Sequence, residues 1–137
     1  MDSDSYSKQQ LDDLFMDMIA YYDGDPKRIQ HFTKVHSYAR LIGIGEELDD
    51  ASLFILEAAA YTHDIGIRVA EEKYGRCDGK LQEQEGPIIA QKMLSQLGFE
   101  NYIMQYVLHG PQQLWSKRRG VQLLSMQFSF IKSSINF

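Results

Sequence analysis

The sequence predicts an all-α protein, a small bundle of helices around one core. Apolar residues recur at three- and four-residue spacing along most of the chain, and no segment alternates with strand character. Helix start and stop signals divide these runs into lengths that ordinary globular helices have.

Leu11, Leu14, Phe15, Met18 and Ile19 line one face of a first helix, which ends near Tyr22-Asp23-Gly24. Asp25-Pro26 starts a second, with Asp as N-cap and Pro in the first turn. Its stripe runs through Arg28, Val35, Ala39 and Ile42 to Gly43 or Gly45. Asp49-Asp50-Ala51 starts a third, whose acids suit its positive end. It carries Leu53, Leu56, Ala59 and Ala60 up to His63-Asp64, where Gly66 is expected to supply a left-handed cap. A polar stretch from Glu71 to Glu85 follows, broken by Gly75 and Gly79. Gly86-Pro87 is expected to open a fourth long helix with Ile89, Ala90, Met93, Leu94 and Leu97 on its face, stopped by Gly98. Tyr102 to Leu108 reads as a short fifth helix.

The 137 residues suit one domain, and 44% hydrophobic with 24% charged residues is an ordinary globular balance. No apolar run is long enough to span a bilayer, so no membrane is expected as a partner. The acidic N-terminus does not read as a signal peptide. A single cysteine, Cys77, excludes an internal disulfide and points to a reducing cytoplasm. Among Arg76, Asp78 and Gly79 it reads as a loop residue rather than a nucleophile. The net charge of −5 conceals an asymmetry. Residues 1–100 hold 10 Lys/Arg and all 19 Asp/Glu; residues 101–137 hold 4 Lys/Arg and no acid. The acidic body argues against nucleic acid as a partner, since phosphate backbones select basic faces.

The chemistry concentrates in four histidines, His31, His36, His63 and His109. His63 and Asp64, adjacent at a helix end, continue the apolar face of Leu56, Ala59 and Ala60. A buried His and Asp need partners, and one divalent ion satisfies both. A His–Asp hydrogen bond or a helix-end cap is the plainer alternative. Two candidates for a third ligand, His31 and His36, sit on the second helix. At 100° per residue, His31 lies about 40° from the Val35 stripe and His36 about 100° from it. His31 therefore points inward, as a ligand or as a core histidine bonded to a carbonyl. Arg28, about 20° off the same stripe, wants a carboxylate or a substrate anion as partner.

His31-x-x-x-Val35-x-x-x-Ala39, then Ala58-Ala59-Ala60-Tyr61-Thr62-His63-Asp64-Ile65-Gly66, resemble the core of the HD-domain metal-dependent phosphohydrolases. The likeness extends through Lys73-Tyr74-Gly75 and Gly79-Lys80-Leu81-Gln82-Glu83-Gln84-Glu85-Gly86-Pro87, and is similar to a subgroup of small bacterial HD proteins. It covers roughly residues 8–108. It implies a helical bundle of about five to six helices and a divalent ion (Mn, Fe, Ni, Zn or Mg) held by His31, His63 and Asp64. It further implies hydrolysis of a small phosphorylated molecule such as a nucleotide, with Asp64 orienting the attacking water. Two-metal members carry a histidine shortly before the glycine of the fourth helix; Glu83 and Glu85 stand there in this chain, as candidates for a second ion or its water. Arg28 is a candidate catalytic cation. Lys80 and Arg76 are candidate phosphate contacts, with solvated surface as the commoner use of such residues. A homodimer is compatible with all of this.

The chain also departs from the family. A late Asp ligand is normal there, yet no Asp follows Asp78 and no Glu follows Glu100. In place of a histidine-rich loop stands His109-Gly110-Pro111. Pro111 to Lys117 admits a codon spelling that, shifted by one base, reads His-Asn-Ser-Tyr-Gly-Gln, close to that loop. The expectation is an HD-type domain over 1–108, followed by an atypical tail over 109–137 that is a frame-shifted or truncated end. On that reading Leu123, Leu124, Phe128, Phe130 and Ile131 are badly ordered or buried in a dimer contact; otherwise the tail is a genuine C-terminal helix that covers the core. A non-catalytic HD-fold module with an impaired metal site is the alternative function.

Overall fold

A computed structural model of the protein describes residues 7–76 and 79–108, without the side chains of Gly79, Gln82 and Glu83. The tail after residue 108, with His109, and Cys77 and Asp78 lie outside the described residues. Six helices follow in order: α1 (Lys8–Tyr21), α2 (Pro26–Gly45), α3 (Asp50–Thr62), α4 (Ile67–Tyr74), α5 (Gly79–Gln96) and α6 (Asn101–Leu108). Among the described residues there is no strand, and no helix is long and apolar enough to cross a membrane.

The helix starts are chemical. Ser7, Asp25 and Asp49 accept hydrogen bonds from the backbone N–H of Gln9, Arg28 and Ser52, satisfying donors that the first turn leaves open. Pro26 sits in the first turn of α2, where its missing N–H costs nothing. After α1 the chain turns at Gly24, whose φ of 86° favours glycine.

α3 is the axis of the bundle. From Phe54 to Thr62 every residue but Glu57 is buried. It packs against α1, α2 and α6, while α5 closes on α4, α6 and α1. The main core joins Leu11, Leu14 and Met18 of α1 to Ile55 and Ala58 of α3, Leu94 of α5 and Ile103 of α6. A second, smaller cluster of Val35, Ala39, Leu56 and Ala60 binds α2 to α3. Alanines at 58, 59 and 60 let the neighbouring helices approach, which brings the side chains of α2 within reach of the end of α3.

The structure corrects three expectations between residues 66 and 87. Gly66 is right-handed, with φ −78° and ψ −11°, and begins α4 instead of capping α3 with a reversal. The left-handed cap falls at Gly75, with φ 70°. The polar stretch is mostly helical: α4 anchors itself by Ile67 and Ala70 alone, too few apolar positions to show a period. Gly86-Pro87 lies inside α5, which begins at Gly79. An interior proline forfeits one helix bond. Gly86 eases the conflict, because the residue before a proline is pushed out of the helical region partly by its own Cβ. Gly86 is also buried against the Gly66 backbone, where a Cβ would stand 3.6 Å from the Gly66 nitrogen.

Candidate metal centre

α2 supplies His31, and the end of α3 supplies His63 and Asp64. His31 lies three residues after Arg28 and four before Val35, on the inward side of α2, and is 9% exposed. His63 keeps helical dihedrals, φ −59° and ψ −29°, as the C-cap of α3. Asp64 follows in the turn and is 7% exposed.

Three atoms converge. The Nε2 atoms of His31 and His63 are 3.3 Å apart. Asp64 Oδ2 is 3.0 Å from each of them. The three residues form the one cluster of metal-ligand type found among the described residues.

The hydrogen bond on the far side of His63 fixes what this triangle can hold. His63 Nδ1 is 2.7 Å from the Ala60 carbonyl oxygen. A carbonyl only accepts, so Nδ1 carries the proton and donates. In the neutral ring Nε2 then presents a lone pair toward Asp64 Oδ2, another acceptor. Two acceptors at 3.0 Å in a nearly dry site repel unless positive charge lies between them. A proton or a cation fills that role. Ligands bound to one ion at about 2.1 Å stand roughly 3.0–3.4 Å from one another, and all three edges of the triangle fall in that range. Two imidazoles and a carboxylate are also a proper donor set for a first-row divalent ion. The residues present therefore fit such an ion. The Ala60 carbonyl stands where an outer partner would orient His63 toward such an ion.

Two tyrosines absent from the sequence-level candidates brace the same turn. Tyr22, 2% exposed, donates its hydroxyl to the Asp64 carbonyl at 2.7 Å. Tyr21 donates to the Ile65 carbonyl at 3.1 Å. Burial pushes both hydroxyls above their ordinary value of 10.0, so both remain donors at neutral pH. The signal available in the sequence was an aromatic pair at a helix end, which by itself reads as core.

The other candidates fall elsewhere. His36 Nε2 donates to the Glu57 carboxylate at 2.9 Å, and the ring stacks flat on Tyr61, 3.9 Å between ring centres. Burial pushes the Tyr61 hydroxyl up to about 12. The preference for His31 over His36 thus matches their placement. Arg28 pairs with Glu71 at 3.3 Å and with Asp25 at 4.0 Å. It lines a polar cleft of about 330 Å³ with Tyr22, Asp25, Ile67, Arg68 and Glu71. Lys80 and Arg76 are exposed. The Glu83 side chain lies outside the described residues.

Glu85 is buried in a pair with Lys73, 2.9 Å away, and accepts from the Tyr74 hydroxyl at 3.3 Å. It is not part of the triangle. The Lys73 hydrogen bond holds its carboxyl below the ordinary 4.5, and the same bond raises Lys73 above 10.5. A depressed acid stabilises the fold above its unfolded pKa and loses that contribution as pH falls through the folded value. A raised lysine stabilises below its unfolded pKa and loses that contribution as pH rises through the folded value. Glu85→Gln should therefore lower the melting temperature across neutral pH, with the difference closing as pH falls through the depressed carboxyl value. Thermal unfolding of both proteins over a pH series checks this. An undiminished difference in acid would show that the pair is not its source.

No protein-family model, curated protein or solved structure compared with the chain matches it.

Proposed function

We propose that the chain is a metal-dependent phosphohydrolase acting on a small phosphorylated substrate, for which a nucleotide is one candidate. The observation that carries this reading is the triangle of His31 Nε2, His63 Nε2 and Asp64 Oδ2, each edge 3.0–3.3 Å. Likeness of the flanking sequence to HD-domain phosphohydrolases supports it. Bound there, a divalent ion supplies Lewis acidity toward a phosphoryl oxygen and a more acidic water.

The chain's own residues do the rest. His31 and His63 hold neutral nitrogen donors in place. Asp64 contributes the negative charge and, through the oxygen not engaged in the triangle, an acceptor able to orient a water. The neighbouring cleft is not an anion trap. Asp23, Asp25, Glu71 and Glu72 outnumber Arg28 and Arg68 on its walls. Arg28 reaches a phosphate only by exchanging Glu71 for it, so charge neutralisation falls mainly to the ion.

One observation favours the non-catalytic alternative, in which the HD fold binds a ligand without turnover. The family that the sequence resembles adds a late Asp ligand, and no Asp follows Asp78 here. Elemental analysis of the purified protein should find about one divalent ion per chain. A panel of phosphate esters should then be hydrolysed, with activity lost on chelation and in Asp64→Ala. Stoichiometric metal without turnover would leave the binding module standing and overturn the enzyme. Absence of any bound ion would overturn the metal site and the enzyme, leaving only a module whose metal site is impaired.

A further inference from the structure

The geometry points to Tyr21 and Tyr22 as a positioning clamp for the metal ligands: two hydroxyls that touch no ligand atom set how His63 and Asp64 are presented. This rests on the metal reading above.

The last carbonyls of a helix have no intrahelical donor, and a helix end that must aim two side chains needs its backbone fixed by something else. In the turn after α3 the Asp64 carbonyl accepts one backbone bond, from the Ile67 N–H at 3.1 Å, and the side-chain donors that complete the fixing come from the end of α1. Asp64 and Ile65 are consecutive, and their carbonyls accept from Tyr22 at 2.7 Å and Tyr21 at 3.1 Å. A tilt of the Asp64 peptide swings its carboxylate, and Oδ2 must stay 3.0 Å from two nitrogens on different helices.

Tyr22 is suited to hold that tilt. At 2% exposure its hydroxyl has almost no access to bulk water. Its ring also lies 6.1 Å from that of Phe32, the residue after His31. One side chain thus touches the backbone of one ligand and the chain neighbour of another. Tyr21 packs edge-on against Tyr22, with centres 4.9 Å apart. Arg68 of α4 donates to the Tyr21 carbonyl and stands 6.0 Å above its ring. The end of α1, the 63–66 turn and the start of α4 therefore form one hydrogen-bonded unit around the ligand pair.

The alternative is that the tyrosines only fasten α1 to the core. Affinity separates the two. Mn²⁺ alone is titrated calorimetrically into metal-free wild type, Tyr22→Phe, Tyr21→Phe and Ile103→Val, at a temperature where all are folded. Ile103 is buried in α6 and serves as a stability control. The clamp predicts about tenfold weaker binding in Tyr22→Phe, the scale on which outer partners of metal ligands act. It predicts a smaller loss in Tyr21→Phe, whose bond is longer and one residue beyond the ligand, and wild-type affinity in Ile103→Val. Unchanged affinity in both tyrosine variants, with wild type binding normally, would overturn the clamp and leave the metal site intact. Equal weakening in Ile103→Val would also overturn it, as loss of stability alone. No binding by wild type would instead remove the metal reading on which the clamp rests. Should Tyr22→Phe fail to fold, Tyr21→Phe decides.

Discussion

Asp64→Ala should abolish the thermal stabilisation that a divalent ion gives the wild-type protein. An ion that binds only the folded chain stabilises it by about 2.7 kcal/mol at a hundredfold excess over its dissociation constant. For a domain of this size that corresponds to a rise on the order of 10 °C in melting temperature. Asp64 supplies the one negative charge of the triangle and two of its three edges. Without it, two imidazoles on different helices remain, and the gain should vanish. His36→Gln is the control. That ring is engaged by Glu57 and Tyr61, away from the triangle, and the variant should keep the full metal-dependent shift. Melting curves with and without excess Mn²⁺ check all three proteins. A wild type that gains nothing sinks the site. An equal gain in Asp64→Ala places the ion elsewhere.

Part of the site was legible in the sequence, because two of its residues are neighbours and helical phase prefers His31 to His36; the trio itself was implied by the likeness of the flanking residues. His63-Asp64 continues an apolar face, and His31 lies nearer than His36 to the Val35 stripe. Both facts need only a straight helix of known pitch. The helix starts were equally legible, since Asp25-Pro26 and Asp49 act through bonds within three residues. Between Gly66 and Pro87 locality failed. Glycine permits a left-handed cap without requiring one, and at Gly66 the chain continues into α4 while α5 packs on it through Gly86. Pro87 is tolerated within α5 beside a glycine that removes half the steric objection. The burial of Glu85 against Lys73 was invisible for the same reason: the partners are twelve residues apart on different helices. Tyr21 and Tyr22 carry no local mark of their role, because hydrogen bonds spanning 44 and 42 residues have no period to detect.

Leu56→Ala should be among the most damaging single changes to the fold. Leu56 is wholly buried in the small cluster that joins α2 to α3. Truncating a buried leucine costs about 2–5 kcal/mol, depending on how far the surroundings collapse into the gap. Against a typical total of roughly 5–15 kcal/mol that is a large fraction. Here the buried neighbours Val35, Ala39 and Ala60 are short and fixed on helix backbones, so any collapse falls to Ile42 and Leu48, which pack against the cluster. Gly43 on α2 makes the cost testable as a packing effect. A Cβ there would meet Leu56 Cδ2 at 3.0 Å and Leu53 Cδ1 at 2.8 Å. In the wild type, Gly43→Ala sets a gain in helix propensity of about 1 kcal/mol against that crowding. In Leu56→Ala one of the three crowding methyls is gone, leaving Leu53 Cδ1 and Leu48 Cδ1, and the added carbon enters the gap. The two changes should therefore couple favourably, the double variant being more stable than the sum of the singles predicts, by about 0.5 kcal/mol or more. Urea unfolding of the four proteins gives the coupling directly. Strict additivity would mean that α2 and α3 do not meet at Gly43 and Leu56. Because His31 rides on α2 while His63 and Asp64 end α3, that same packing sets the spacing on which the metal triangle depends.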